Sequence, residues 1–289
     1  MGNDSMKSQR PASLPDFERP PLDEMVLSIQ FADLPLKNVH AGLLWPRLRD
    51  QYPNVQEQAP VPPVFETYGA LRAATSNAAE IRLLAPDAMI RYWFIAPDEC
   101  QLLQFQQDRI IHNWRSRRTE DAYPRYEPLR ERFESEIVII QDFLRENNLG
   151  EIKCNQCEVS YLNAIGSLND GQDPNLEIDK IFTVWCERFG GDGYLAHSER
   201  SRFSASFLLR EGPSTDPWGR LHVMVSPGIR KIDSAPVVRL HITARGKPHD
   251  ESVGAALEWL DRGRVAVVRS FVSITTETMH KVWGRKDVR

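Results

Sequence analysis

Cysteine is scarce in this chain of 289 residues: only Cys100, Cys154, Cys157 and Cys186 occur. Four thiols at this length cannot form the disulfide framework of a small secreted domain. No apolar run reaches the roughly 20 residues needed to span a bilayer. The segment Met1–Arg10 is polar and lacks the apolar core of a secretory signal, so a cytoplasmic location is the default expectation. An excess of one charge is also missing. The 36 basic and 40 acidic residues leave a formal charge of −4, which argues against nucleic acid or an acidic membrane as partner. The sequence contains no GxSxG, Walker A, GxGxxG or HExxH motif. No catalytic residue, metal or cofactor is therefore expected.

The near-motifs are weak for physical reasons. Cys154 and Cys157 form a CxxC pair just before or within a strand, where alternation should send the two thiols to opposite faces. A redox pair would instead sit at a helix N-terminus, so reduced, partly buried thiols are expected. Gly190-Gly191-Asp192-Gly193 lacks the Lys-Ser/Thr of a phosphate loop and reads as a turn. His222 and His241 alternate with apolar residues and read as satisfied sheet residues.

What is present is a layout met twice. After a Pro-rich arm, residues 1–21, expected to be mobile, Leu22–Phe31 alternates as a strand and Leu36–Leu48 has helical spacing with Trp45 inside. Gln56–Pro63 reads as a long Pro-rich crossover. Arg91–Pro97 and Cys100–Arg115 form a hairpin, and a helix starts near Tyr126 and stops at Asn147-Asn148-Leu149-Gly150. The order then restarts with strand Glu158–Ile165 and helix Leu176–Phe189 containing Trp185. Strands Phe203–Leu209, Leu221–Pro227 and Val237–Ala244 follow, then a helix capped near Asp250. Glu277–Trp283 should dock through Met279, Val282 and Trp283. Trp45 to Trp185 spans about 140 residues and Pro97 to Pro227 about 130, close to half the chain. The expected class is α+β. A strand–helix–three strands–helix unit is duplicated over residues 22–150 and 151–289, each antiparallel sheet is covered by a long helix, and a cleft lies between the repeats.

The richest polar stretch is the single strand expected over Cys100–Arg115. Gln104, Gln106, Asp108, Ile110, His112 and Trp114 would share one face, with Arg109, Asn113 and Arg115 on the other. Gln106, Asp108, Arg109, His112, Asn113, Trp114 and Arg115, together with Tyr123, Arg125 and Tyr126, are the candidate ligand or partner site. Trp114 would be a stacking wall, and Arg109 or Arg115 would grip an anion or carboxylate. The competing reading is a surface strand whose Asp108 and Arg109 hold a sheet edge. On a common strand Asp108 and His112 would lie about 13 Å apart, too far for a direct acid–base pair. The arginines from Arg115 to Arg132 are interleaved with Glu120, Asp121, Glu127, Glu131 and Glu134, the pattern of a salt-bridged helix start.

Several strings resemble a sporadically distributed family of bacteria and archaea that carries no assigned activity. They are Pro20-Pro21-Leu22-Asp23-Glu24-Met25-Val26-Leu27-Ser28-Ile29-Gln30-Phe31, His40-Ala41-Gly42-Leu43-Leu44-Trp45 and Asp108-Arg109-Ile110-Ile111-His112-Asn113-Trp114-Arg115. Tyr123-Pro124-Arg125-Tyr126, Glu158-Val159-Ser160-Tyr161-Leu162-Asn163 and Thr275 through Gly284 continue the likeness. The patchy distribution implies mobile or defence-linked loci, and with no assigned activity the resemblance carries over no catalytic residue. The layout alone is similar to tandem effector-binding domains that resemble gyrase-inhibitory proteins, which use the cleft between repeats for small molecules. The expected function is thus a non-enzymatic binding protein (adaptor, inhibitor or sensor) with a protein partner encoded nearby or a small ligand. The alternatives are a small-molecule or nucleotide sensor and a hydrolase built on Asp108–His112. A homodimer is compatible with the apolar terminal helices.

Overall fold

The computed structural model describes residues 10–68, 90–118, 121–169, 172–185, 198–213 and 215–286. The chain is α+β. In order, the strands are β1 (Asp16–Phe17), β2 (Leu22–Phe31), β3 (Asn54–Gln58), β4 (Arg91–Ile95), β5 (Gln101–Gln106) and β6 (Arg109–Arg115). They continue as β7 (Cys154–Ile165), β8 (Phe203–Leu209), β9 (Gly219–Ile229), β10 (Pro236–Gly246) and β11 (Arg285–Lys286). The helices are α1 (Asn38–Leu48), α2 (Tyr126–Glu146), α3 (Ile178–Ile181), α4 (Val253–Ile274) and α5 (Glu277–Val282).

Nine strands form one antiparallel sheet in the order β3-β4-β5-β6-β2-β7-β10-β9-β8. Its centre is the pairing of β2 with β7, where Met25 faces Tyr161 and Leu27 faces Val159. Alternation explains how β2 serves this position. Met25, Leu27, Ile29 and Phe31 enter the core, while Glu24, Ser28 and Gln30 point to the other face. α4 packs on β7 and β10, and α2 on β6, so both long helices lie on the Leu27 side. Gly263 permits the close approach of α4, since a Cβ there would stand 2.9 Å from the Trp259 ring and 3.3 Å from Val159. One continuous core runs through Ile110, Phe133, Ile137, Val159, Leu240 and Leu260.

Several sequence expectations change here. The long strand over Cys100–Arg115 is two strands, broken by a turn at Gln107-Asp108, so the residues on either side of the break do not continue one alternation. The helix expected over Leu176–Phe189 is a short 3-10 turn, Pro174–Glu177, followed by α3, which ends at Ile181 because Phe182 bridges to Thr275. Trp185 is therefore outside a helix, and Cys186, Phe189 and Gly190-Gly191-Asp192-Gly193 lie outside the described residues. Pro97 follows β4 but Pro227 lies inside β9, so the two prolines do not hold matching places. The cap of α4 is Ser252, whose Oγ accepts from Ala255 N at 3.1 Å, while Asp250 accepts from Ser252 N at 2.7 Å. Val282 is exposed, and α5 docks through Met279 and Trp283.

Ordered structure also begins before Leu22: Leu14 and Phe17 are buried, and β1 pairs with β11. Cys154 and Cys157 both face the core. A register shift in β7 pairs Cys154 with Phe31 while Cys157 pairs with Ile29, so the bulge cancels the parity that would have separated them.

Candidate functional site

The sheet face turned away from α2 and α4, here the open face, is polar along its whole middle. Alternation places Glu24, Ser28 and Gln30 of β2, Gln104 and Gln106 of β5, and Arg109 and Asn113 of β6 on it. β7 adds Gln156, Glu158 and Ser160, β10 adds His241, Thr243 and Arg245, and β9 adds Arg220 and His222. Polar groups held away from water need partners, and many of these supply one another, although Arg109 Nε and Gln156 Nε2 are left without one. Gln104 Nε2 donates to Asn113 Oδ1 at 2.6 Å, and Asn113 Nδ2 donates to Glu24 Oε1 at 2.6 Å. Ser160 Oγ lies 2.5 Å from His241 Nε2 and 2.6 Å from Thr243 Oγ1. Burial raises the Glu24 pKa despite the Asn113 hydrogen bond, and burial lowers that of His241, favouring its neutral imidazole.

Across this face lies the chain's own segment 59–68, a strap held mainly through its backbone. Arg91 Nε donates to Ala59 O at 3.1 Å. Gln106 both accepts from Val61 N at 3.0 Å and donates to Val61 O at 2.9 Å. Arg109 donates to Pro62 O at 3.2 Å, Gln30 accepts from Val64 N at 2.9 Å, and Arg220 donates to Thr67 O at 2.8 Å. The strap thus runs from β4 to β9. Eight residue steps from Ala59 to Thr67 reach about 26–29 Å. The six strand spacings they cross amount to about 29 Å, so the segment is close to full extension. Pro60, Pro62 and Pro63 suit this path, because proline favours extended backbone and brings no unpaired N–H.

At the far end the strap inserts one carboxylate. Glu66 lies 2.9 Å from Arg220 Nε, 2.6 Å from His222 Nε2 and 3.4 Å from Arg245 Nη1, and its side chain is only 8% exposed. His222 Nδ1 lies 3.1 Å from Ser206 Oγ, and Arg245 also pairs with Glu158 at 2.6 Å. Burial pushes the Glu66 pKa upward, but the His222 hydrogen bond and the charges of His222, Arg245 and Arg220 outweigh it, and the net shift is downward.

The ten residues singled out from sequence divide between the two faces. Gln106, Arg109 and Asn113 are on the open face. Asp108 sits in the β5–β6 turn and accepts from Gln106 Nε2 at 2.5 Å. Arg115 lies with its guanidinium 5.6 Å from the Trp93 ring. His112 and Trp114 face the helices instead. His112 Nδ1 is 2.9 Å from Glu136 of α2, whose other oxygen takes the Tyr52 hydroxyl, and all three are buried. The expected common face for Asp108 and His112 is therefore contradicted, because the turn between β5 and β6 separates them.

Trp114 packs 5.3 Å from Tyr123, whose hydroxyl is 3.2 Å from that of Tyr161. Tyr126 donates to Asp261 at 2.6 Å, and Arg125 pairs with Asp16 at 3.1 Å. The cavity that Tyr123, Arg125, Tyr126 and Tyr161 share with Arg264 measures about 60 Å³, less than half the roughly 150 Å³ that accommodates benzene. Of the basic cluster, Arg130 pairs with Glu134 at the helix start, whereas Arg117 pairs with Glu99, outside the interleaved acidic residues.

The contribution of the second half was missed from sequence. Val237, Val238, Leu240 and Ile242 give β10 an apolar look, but Arg239, His241, Thr243 and Arg245 occupy every alternate position. That period-two run, with Arg220-x-His222 and Glu158-x-Ser160, was the available signal. Glu66 had no local signal, since only the tertiary path of the strap brings it to β9 and β10. Among the described residues no three His, Cys, Asp or Glu side chains are grouped to hold a metal ion, and no helix is long and apolar enough to cross a membrane. Comparison of the sequence with known protein families and with curated proteins finds no match in either.

Proposed function

We propose that the chain is a non-enzymatic binding protein that holds an extended polypeptide on its open sheet face, acting as an adaptor, inhibitor or sensor. One observation carries this reading: Gln30, Gln106, Arg109 and Arg220 already bind the main chain of an extended segment without reading its side chains. Main-chain capture with side-chain selection at a few points is a recurrent mode of peptide recognition. The Asp108–His112 hydrolase loses its geometric basis, and the helix-side cavity is too small for a metabolite-sized ligand.

The same reading takes the molecule as two copies of one unit. Outward from the β2–β7 pair, β6, β5 and β4 on one side match β10, β9 and β8 on the other, and α2 and α4 follow β6 and β10. The binding face then spans both copies, replacing the inter-repeat cleft expected from sequence. Free Cys100, Cys154 and Cys157 suit a reducing compartment, so we place the protein in the cytoplasm. A partner encoded nearby remains the preferred source of the polypeptide.

Selection of peptides from a displayed random library on the immobilised protein tests the proposal. Enriched sequences should bind at least tenfold more weakly to a Gln106→Ala/Arg109→Ala protein. Enrichment indifferent to that pair, or none at all, would count against it.

A further inference from the structure

The strap differs from a structural crossover in one respect: apart from the Glu66 side chain, none of its residues is buried. Val64, Phe65 and Tyr68 are 36%, 56% and 37% exposed, so it adds no side chain to the core. Its hold on the sheet consists of main-chain hydrogen bonds, the Glu66 carboxylate and the Tyr68 ring 5.9 Å from the Arg220 guanidinium. A segment with few buried apolar contacts opens locally at little cost to the rest of the fold. The surface beneath it is built for an occupant. Arg220, His222 and Arg245 come from two strands and converge on one point, and Ser206 and Glu158 fix two of them from behind. Without Glu66 the guanidinium groups of Arg220 and Arg245 would face each other with Glu158 as the carboxylate left beside them.

We infer that the Arg220–His222–Arg245 cradle is a carboxylate-binding subsite, that the chain's own segment 59–68 occupies it as a built-in pseudo-ligand, and that the intended occupant is an extended acidic segment of a partner protein. The inference rests on the binding-face reading above and adds to it the chemistry of the ligand and its regulation. Gln106, Arg109 and Gln30 read backbone, which any extended chain offers, whereas the cradle reads one acidic side chain. The tether sets the threshold. A linked segment competes at an effective concentration on the order of millimolar, so a partner gains access only by binding more tightly than the strap or after the strap has been loosened.

The test uses the full chain and a labelled synthetic peptide with the sequence of residues 58–68, followed by fluorescence anisotropy. The Glu66→Gln protein, whose strap has lost its anchor, is expected to bind this peptide at least tenfold more tightly than the wild type does. On the same protein, a peptide carrying Gln at the position of Glu66 should bind at least tenfold more weakly. Adding Arg220→Ala and Arg245→Ala should have the same effect. Equal binding of the Glu and Gln peptides, or no binding to any variant, overturns the inference.

Displacement of the bound peptide by millimolar succinate as readily as by unlabelled peptide would assign the subsite to a free carboxylate and overturn the extended-chain claim. A concentration-dependent dimer of Glu66→Gln that excludes the peptide would assign it to a second copy and overturn the foreign partner. Should Glu66→Gln fail to fold, excess peptide is added to wild type instead. Faster amide exchange at Val61 and Val64 then supports displacement, and unchanged exchange overturns it. Library peptides that depend on Gln106 and Arg109 but not on Arg220 and Arg245 would leave the binding face standing while the cradle fails.

Discussion

Two carboxylates, Glu136 and Glu66, meet a histidine in nearly the same way on opposite sides of one sheet. Glu136 lies 2.9 Å from His112 Nδ1, and Glu66 lies 2.6 Å from His222 Nε2. The difference is in what carries them. Glu136 projects from α2 into the core, is fully enclosed, and joins Tyr52 to β6. Glu66 projects from a surface strap into a ring of cations, and its neighbours are exposed. Similar chemistry thus stabilises the fold at one place and holds a removable segment at the other. Enclosure decides which, because a buried group stripped of its partner has no water to turn to.

Breaking the first pair should have the larger effect. Glu136→Ala leaves His112 and the Tyr52 hydroxyl buried without their acceptor, and urea unfolding should show a loss of about 3–5 kcal/mol. The Tyr52 pKa, raised by burial and then by the Glu136 charge, would move back toward its ordinary value in any folded remnant. Glu66→Gln removes a charge whose partners Arg220, His222 and Arg245 remain 26%, 36% and 21% exposed and so can turn to water. Global stability should change by no more than about 1 kcal/mol, while amide exchange at Val61 and Val64 accelerates well beyond that of the β2–β7 centre. Equal losses from the two substitutions would erase the distinction drawn here.

Acid should dissect the strap in the same manner. The folded pKa of Glu66 is depressed below its ordinary 4.5. Its contribution is therefore complete above that value and is lost as pH falls through the lower folded pKa. The groups facing it are Arg220, His222 and Arg245, with Glu158 behind Arg245. Exchange protection at Val64, once the intrinsic exchange rate is corrected for, should be lost in acid below the ordinary carboxylate range. The smallest expected signal is thiol reactivity. Burial pushes Cys154 up to about 12, and burial with the Asp121 hydrogen bond does the same for Cys100. Native protein at pH 8 should alkylate at these two positions far more slowly than unfolded protein, as mass spectrometry would show.

Most of the elements were legible because their periodicities are strong. β2 has the limits read from alternation, and α2 starts at Tyr126 and ends before Asn148 and Gly150, which take positive φ of 53° and 91°. Failures came where a single local event resets the pattern. The turn at Gln107-Asp108 moved His112 to the helix side, and the bulge in β7 brought both cysteines to the core. The site was legible by half. Gln106, Arg109 and Asn113 stood out because polar residues crowd β5 and β6. His241 and Arg245 were hidden among the apolar residues of β10, although they complete the same face. The crossover expected over Gln56–Pro63 begins only after Gln58, because Gln56–Gln58 pair with β4 as part of β3. Nothing local to it shows that the chain crosses the sheet face or that Glu66 ends between Arg220, His222 and Arg245.

Hydrogen exchange of the wild-type chain, with and without a peptide selected on it, decides whether the strap leaves the open face when that face is filled. Occupation of the open face should expose the amides of Val61 and Val64 while the β2–β7 pair and α2 stay protected. A peptide that binds while the strap keeps its protection, or that alters only the helix side around Tyr123 and Tyr126, would contradict it.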